Sequence, residues 1–120
     1  MKLLPILAIL FLVLPCSAGI LEEKEQLIRN ATVEHAYVFA DTRIMYYTMG
    51  DNNSFWIPNL AFLDNKTLLH NHPINCAEGP SAKDMRLAVM GNVYRMIVVT
   101  HNGIWETTRP FDNYTFTSWK

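Results

Sequence analysis

The sequence predicts a single α/β domain: one mixed β-sheet of about five strands with helices packed on it. Three observations carry this expectation. Two stretches repeat their apolar residues at helical spacing, while several others alternate or run unbroken as strands do. Turn-forming residues punctuate the chain between them. About 46 of the 102 residues beyond position 18 are apolar, an ordinary globular fraction. A length of 120 residues holds one domain at most.

Residues 20–29 (ILEEKEQLIR) place Leu21, Leu27 and Ile28 on one side and charges elsewhere, which reads as a short amphipathic helix. Residues 33–40 (VEHAYVFA) are β-branched and aromatic, Asp41-Thr42 makes a turn, and residues 43–49 (RIMYYTM) return as the second strand of a hairpin. A loop follows over residues 50–54. Residues 55–63 are apolar but broken by Pro58, and neither period fits them. A short strand covers residues 66–70, and a loop marked by Pro73, Gly79 and Pro80 leads to a helix over residues 81–90. Ser81 caps that helix, Met85, Ala88 and Val89 face inward, and Gly91 ends it. Residues 93–100 (VYRMIVVT) read as a strand buried on both faces, and Asn102-Gly103 turns the chain into residues 104–109. The aromatic, alternating tail has the pattern of an edge strand.

The amino terminus stands apart. Residues 1–18 hold fourteen apolar residues and one charge, Lys2, and end in Pro15-Cys16-Ser17-Ala18. That is the pattern of a secretory signal peptide cleaved after Ala18, and the run is shorter than the ~20 residues that span a bilayer. The domain is therefore expected over residues 19–120 of a secreted or extracytoplasmic protein, with membrane attachment only if the segment stays uncleaved. Beyond it a single cysteine, Cys76, remains, so no intrachain disulfide framework is available. Four N-x-Ser/Thr triplets, at Asn30, Asn52, Asn65 and Asn113, agree with a glycosylating export route. Nine basic against eleven acidic residues leave a net charge of −2, which provides no nucleic-acid footprint.

The chemistry concentrates between residues 70 and 84. His70-Asn71-His72-Pro73 is followed by seven residues and then Ser81-Ala82-Lys83-Asp84. Two imidazoles and a carboxylate suit Zn²⁺, and three protein ligands leave the fourth tetrahedral position open, as in catalytic sites. His70 and His72, two apart at a strand end, point the same way. Pro73 turns the chain, and the loop returns it to a helix whose first turn holds Asp84.

His-x-His-Pro-x₇-Ser-x-x-Asp resembles the signature of the JAMM (JAB/MPN-type) zinc metalloproteases, and the wording HNHP resembles RadC-type and phage- or toxin-associated JAB domains. The resemblance covers residues 33–110. It implies a JAB/MPN-like fold with Zn²⁺ held by His70, His72 and Asp84, Ser81 as a hydrogen-bond donor to the reacting carbonyl oxygen, and an upstream glutamate as general base and acid. Glu34, in Val33-Glu34-His35, matches that glutamate. The reaction implied is hydrolysis of a peptide or isopeptide bond in a protein or peptide substrate. Only about sixteen residues separate the hairpin's loop from the motif strand, where relatives carry a longer segment with a helix.

Each of these residues also has a plainer role. Ser81 with an acid three positions on is a capping box, and both roles are compatible. Glu78 in the motif loop is the rival to Glu34 as base, and Cys76 is a possible fourth ligand that would close the site. His35 falls on the opposite strand face from Glu34 and reads as structural or exposed, and His101 sits at a hairpin tip. The alternative function is a catalytically inactive JAB-fold binding or assembly module stabilised by a metal, with a toxin-associated role behind it.

Overall fold

The computed structural model describes residues 19–74 and 78–119. The signal-peptide expectation and the reading of Cys76 therefore lie outside the described residues. The elements run α1 (Ile20–Ile28), β1 (His35–Ala40), β2 (Arg43–Met49), a 3₁₀ turn (Leu60–Leu63), β3 (Thr67–Asn71), α2 (Ala82–Met90), β4 (Arg95–Val99), β5 (Gly103–Thr108) and β6 (Thr115–Ser118). They form an α/β domain with one six-stranded mixed sheet in the order β2-β1-β3-β4-β5-β6. The sixth strand, which the five-strand expectation left out, is the aromatic tail. It pairs antiparallel with β5, Trp105 opposite Phe116.

Only β3 and β4 are parallel, and α2 makes the crossover between them. Parallel neighbours cannot be joined by a tight turn, so the chain must travel the length of the sheet through α2. Every other neighbouring pair is antiparallel. Among the described residues no helix is long and apolar enough to cross a membrane.

Strand periodicity divides the core in two. Ala36 faces His70 and Val38 faces Leu68 across β1 and β3, while His70 and Leu68 neighbour Val98 and Met96 on β4. These residues share one face, where Ala36, Val38, Leu68, Met96 and Val98 pack with Ala88 of α2, Leu63 and Val93. Tyr37, Phe39, Leu69, Ile97 and Val99 point the other way and meet Ile28 of α1. The apolar run in β4 is thus buried on both faces, as its composition predicts.

Three packing expectations change. Val89 and Leu27, assigned to inward helix faces, are 65% exposed, because each helix lays only a narrow stripe on the flat sheet. Residues 55–63, which fitted neither period, pass through an irregular segment into the 3₁₀ turn, whose Leu63 is fully buried. The first strand begins at His35, leaving Glu34 just before it.

Candidate metal centre

The site forms where β3 ends and α2 begins. His70 is the penultimate residue of β3, and His72 follows the strand, its N–H bonded to the Val99 carbonyl at 2.8 Å. That bond extends the parallel pairing one step and holds His72 in the strand's alternation. Both imidazoles therefore stand on the α2 face, with ring centroids 5.2 Å apart.

Asp84 arrives from the other side, in the first turn of α2. The Ser81 hydroxyl oxygen accepts from the Asp84 N–H at 3.0 Å, and Asp84 Oδ2 accepts from the Ser81 N–H at 2.9 Å. This capping box fixes the aspartate rotamer and aims it at the histidines. His72 Nε2 lies 2.9 Å from Asp84 Oδ2, and His70 Nε2 lies 3.1 Å from Asp84 Oδ1. All three residues are buried, and their ligand atoms fall within 4.8 Å of one another.

The cluster has the chemistry of a cation site. Two imidazole nitrogens and a carboxylate oxygen brought this close could hold a divalent ion. His70 is fully buried, yet neither Nε2 nor Nδ1 makes a hydrogen bond of good geometry. A metal bond at Nε2 would satisfy a buried nitrogen that its contact with Asp84 serves only poorly, where a group left without a partner costs about 1–3 kcal/mol. Burial would raise the Asp84 carboxyl, but its electrostatic contact with His70, its side-chain contacts to both histidines and the Ser81 N–H together hold it far below the ordinary carboxylate range. A divalent ion likewise takes its carboxylate ligand in the ionised form.

Glu34 joins the same site. Ala36 is registered against His70 in an antiparallel pair, and Glu34, two residues before Ala36, lines a cleft together with His72. Its main chain continues the β1–β2 ladder: Glu34 N–H donates to the Asp51 carbonyl at 2.7 Å, and Gly50 N–H donates to the Glu34 carbonyl at 2.8 Å. Burial pushes the Glu34 carboxyl up, while His70 and His72 pull against that shift.

Glu34, His72, Ser81, Lys83 and Asp84 line a cleft of about 290 Å³ whose remaining wall is residues 53–57 and Leu87. The Phe55 ring packs 5.0 Å from His70 and covers the centre from one side. The loop before it is tight. A Cβ on Gly50 would meet the Ser54 carbonyl oxygen at 1.8 Å. Asp51 Oδ1 accepts from Asn53 N–H and Ser54 N–H at 2.9 and 2.8 Å, which lowers its carboxyl.

All five residues picked from the sequence (Glu34, His70, His72, Ser81 and Asp84) thus converge on one place. Glu78 does not join them. Its carboxylate accepts from Thr100 Oγ1 at 2.7 Å and Asn102 Nδ2 at 3.1 Å, tying the motif loop to the β4–β5 turn. His35 lies on the opposite face with Nδ1 2.7 Å from the Tyr47 hydroxyl, and His101 is exposed.

Sequence reasoning missed Asn71. Buried between the two histidines, it faces away from the cleft, where Oδ1 accepts from the His35 N–H at 2.6 Å and Nδ2 donates to the Val33 carbonyl at 3.0 Å. The two bonds bracket Glu34. The signal was available: a polar residue at a position that strand alternation sends into the opposite core layer.

No family model, curated protein or solved structure matches this chain.

Proposed function

We propose that the protein is a zinc-dependent metallopeptidase of the JAMM type on a JAB/MPN-like domain, hydrolysing a peptide or isopeptide bond. The observation that carries the reading is the clustering of His70, His72 and Asp84, with His72 and Asp84 sharing a cleft with Glu34 and Ser81. Three protein ligands with one side open to a cleft is the catalytic arrangement, not the closed structural one.

His70, His72 and Asp84 would hold a zinc ion, which would supply Lewis acidity toward a water and the scissile carbonyl. Glu34 takes the proton from the attacking water and returns it to the leaving amine. Its raised carboxyl suits both steps, because a base poised nearer neutral pH gives the proton back readily. The Ser81 oxygen already accepts the Asp84 N–H, which leaves its own O–H proton to donate to the carbonyl oxygen as charge develops there. Phe55, over His70, limits water at the ligands.

The reading includes export, supported by the pattern of residues 1–18. The four N-x-Ser/Thr asparagines all lie on exposed turns and loops, where glycan addition is sterically open.

Zinc analysis and turnover of a broad peptide and peptidoglycan panel test the proposal together. Wild type should carry one zinc and cleave an amide; Glu34→Gln should keep the metal and lose turnover. A zinc-loaded wild type that cleaves nothing in the panel rejects the peptidase reading.

A further inference from the structure

The cleft is polar at the candidate metal centre and along Asn53 and Ser54, and apolar over Phe55, Trp56, Ile57 and Leu87. Glu34, His72, Ser81 and Asp84 gather at the metal centre, while Phe55, Trp56, Ile57 and Leu87 form the walls that lead away from it. Trp56 is 72% exposed although the segment carrying it is held in place at the Gly50–Ser54 turn. A fixed segment that keeps an indole in water beside a reactive centre is a surface shaped for an apolar group that arrives from outside.

Size narrows the occupant. Small-molecule sites run from about 300 to 1,000 Å³, and this cleft, at about 290 Å³, falls at the bottom of that range. It holds one or two side chains of an extended chain and excludes a folded surface. Among the described lining residues the remaining ionisable side chain is that of Lys83, which is exposed and close enough to act on Glu34. The wall formed by Phe55, Trp56, Ile57 and Leu87 presents hydrocarbon and aromatic faces without a charge of its own, so a charged side chain laid against it would lose hydration uncompensated.

We propose that this cleft selects peptides carrying a bulky apolar side chain, leucine or phenylalanine in type, immediately beside the scissile amide, with Trp56, Ile57 and Leu87 as the residues that read it. The inference rests on the amide-hydrolase reading and goes beyond it by naming what flanks the bond. Adding or removing apolar bulk in such a pocket changes discrimination by roughly 10–200-fold per methylene-sized step at most. The selection expected here is therefore at least tenfold over glycine, without absolute exclusion.

Amino-acid hydroxamates separate recognition from turnover, because their zinc-chelating end is constant while the side chain varies. Glycine, leucine and phenylalanine hydroxamates are titrated calorimetrically into the zinc-loaded full chain. Leucine and phenylalanine hydroxamates should bind at least tenfold more tightly than glycine hydroxamate. Trp56→Ala should shrink that gap to about threefold or less by weakening the two bulky ligands, and Trp56→Phe should restore most of it. Because Trp56 is largely solvated, its removal opens no hole in the core, and zinc content should stay at the wild-type value. In parallel, kcat/KM on acetylated peptides should favour Leu or Phe over Gly beside the cleaved bond by the same factor, with the Trp56→Ala loss falling mainly on KM. Equal binding of all three hydroxamates, or a gap that Trp56→Ala leaves intact, overturns the selectivity while the hydrolase reading stands. Failure of every hydroxamate to bind the zinc-loaded chain overturns both.

Discussion

Ser81 and Asp84 exchange two hydrogen bonds across the first turn of α2, and the same Asp84 carboxylate lies against both histidines. A helix cap and a ligand orientation are thus one interaction. Ser81→Ala should cost about 1 kcal/mol of stability through the lost cap. It should also weaken zinc binding roughly tenfold, because a ligand's hydrogen-bonded support typically controls affinity by about 10–100-fold. Ser81→Asn keeps an acceptor at the cap and should recover stability in thermal unfolding. A Ser81→Ala protein with unchanged zinc affinity would separate the two roles.

Metal and fold should be linked. Zinc at about one hundred times its dissociation constant adds about 2.7 kcal/mol to unfolding, so a chelator should lower the melting temperature of the wild type. His72→Ala and Asp84→Asn should bind no stoichiometric zinc by elemental analysis, and their melting curves should ignore both zinc and chelator. A wild-type melting curve that ignores zinc would contradict the linkage.

Glu34 and Asn71 should behave differently from the ligands. Glu34→Gln should retain zinc and lower kcat by about 10²–10⁴-fold, the usual contribution of a positioned acid–base group. Asn71→Ala frees the His35 N–H and the Val33 carbonyl that bracket Glu34. It should lower kcat with little change in zinc content, and its loss should be far smaller in the Glu34→Gln background than in the wild type. Additive losses would assign Asn71 to stability alone.

A buried acid on the opposite face gives a pH dependence. Glu25 of α1 is 9% exposed, and burial first, then Glu22 and Glu106 against the opposing Arg95, raise its carboxyl to about 7. The folded chain therefore holds that proton more tightly than the unfolded one. Its contribution is fully present below the ordinary value of 4.5 and is lost progressively as pH rises through about 7. Urea midpoints of the wild type should fall between those limits, and Glu25→Gln should flatten that part of the profile. A Glu25→Gln profile parallel to the wild type would reject the assignment.

Phe39 anchors the same layer and is 1% exposed. Phe39→Ala should cost about 3–5 kcal/mol in denaturant unfolding.

The site was legible from the sequence because its parts are local and chemically distinctive. His70 and His72 share a strand face by alternation, and Ser81 with Asp84 announces a capped helix start. Glu34 was legible only as a position near a strand. What fixes it is the Ala36–His70 register, a long-range pairing that no window of sequence contains. The tail strand was half legible: its alternation showed, but membership of the sheet depended on β5 offering an edge. Val89 and Leu27 went astray for a related reason, since periodicity gives a helix's apolar arc without saying how much of it a flat sheet can cover. Asn71 was hidden in plain view between two louder residues.

The strand directions give the sheet two unlike ends. Glu34, Gly50, His72 and Val99 lie at one, whereas the Asp41-Thr42 turn, Lys66, Tyr94 and Arg109 lie at the other. The His70, His72 and Asp84 cluster and Glu34 lie at the first of these, away from the Asp41-Thr42 turn. A tag, a reporter or an extra module grafted at Asp41-Thr42 should therefore leave the His70, His72 and Asp84 cluster unaltered.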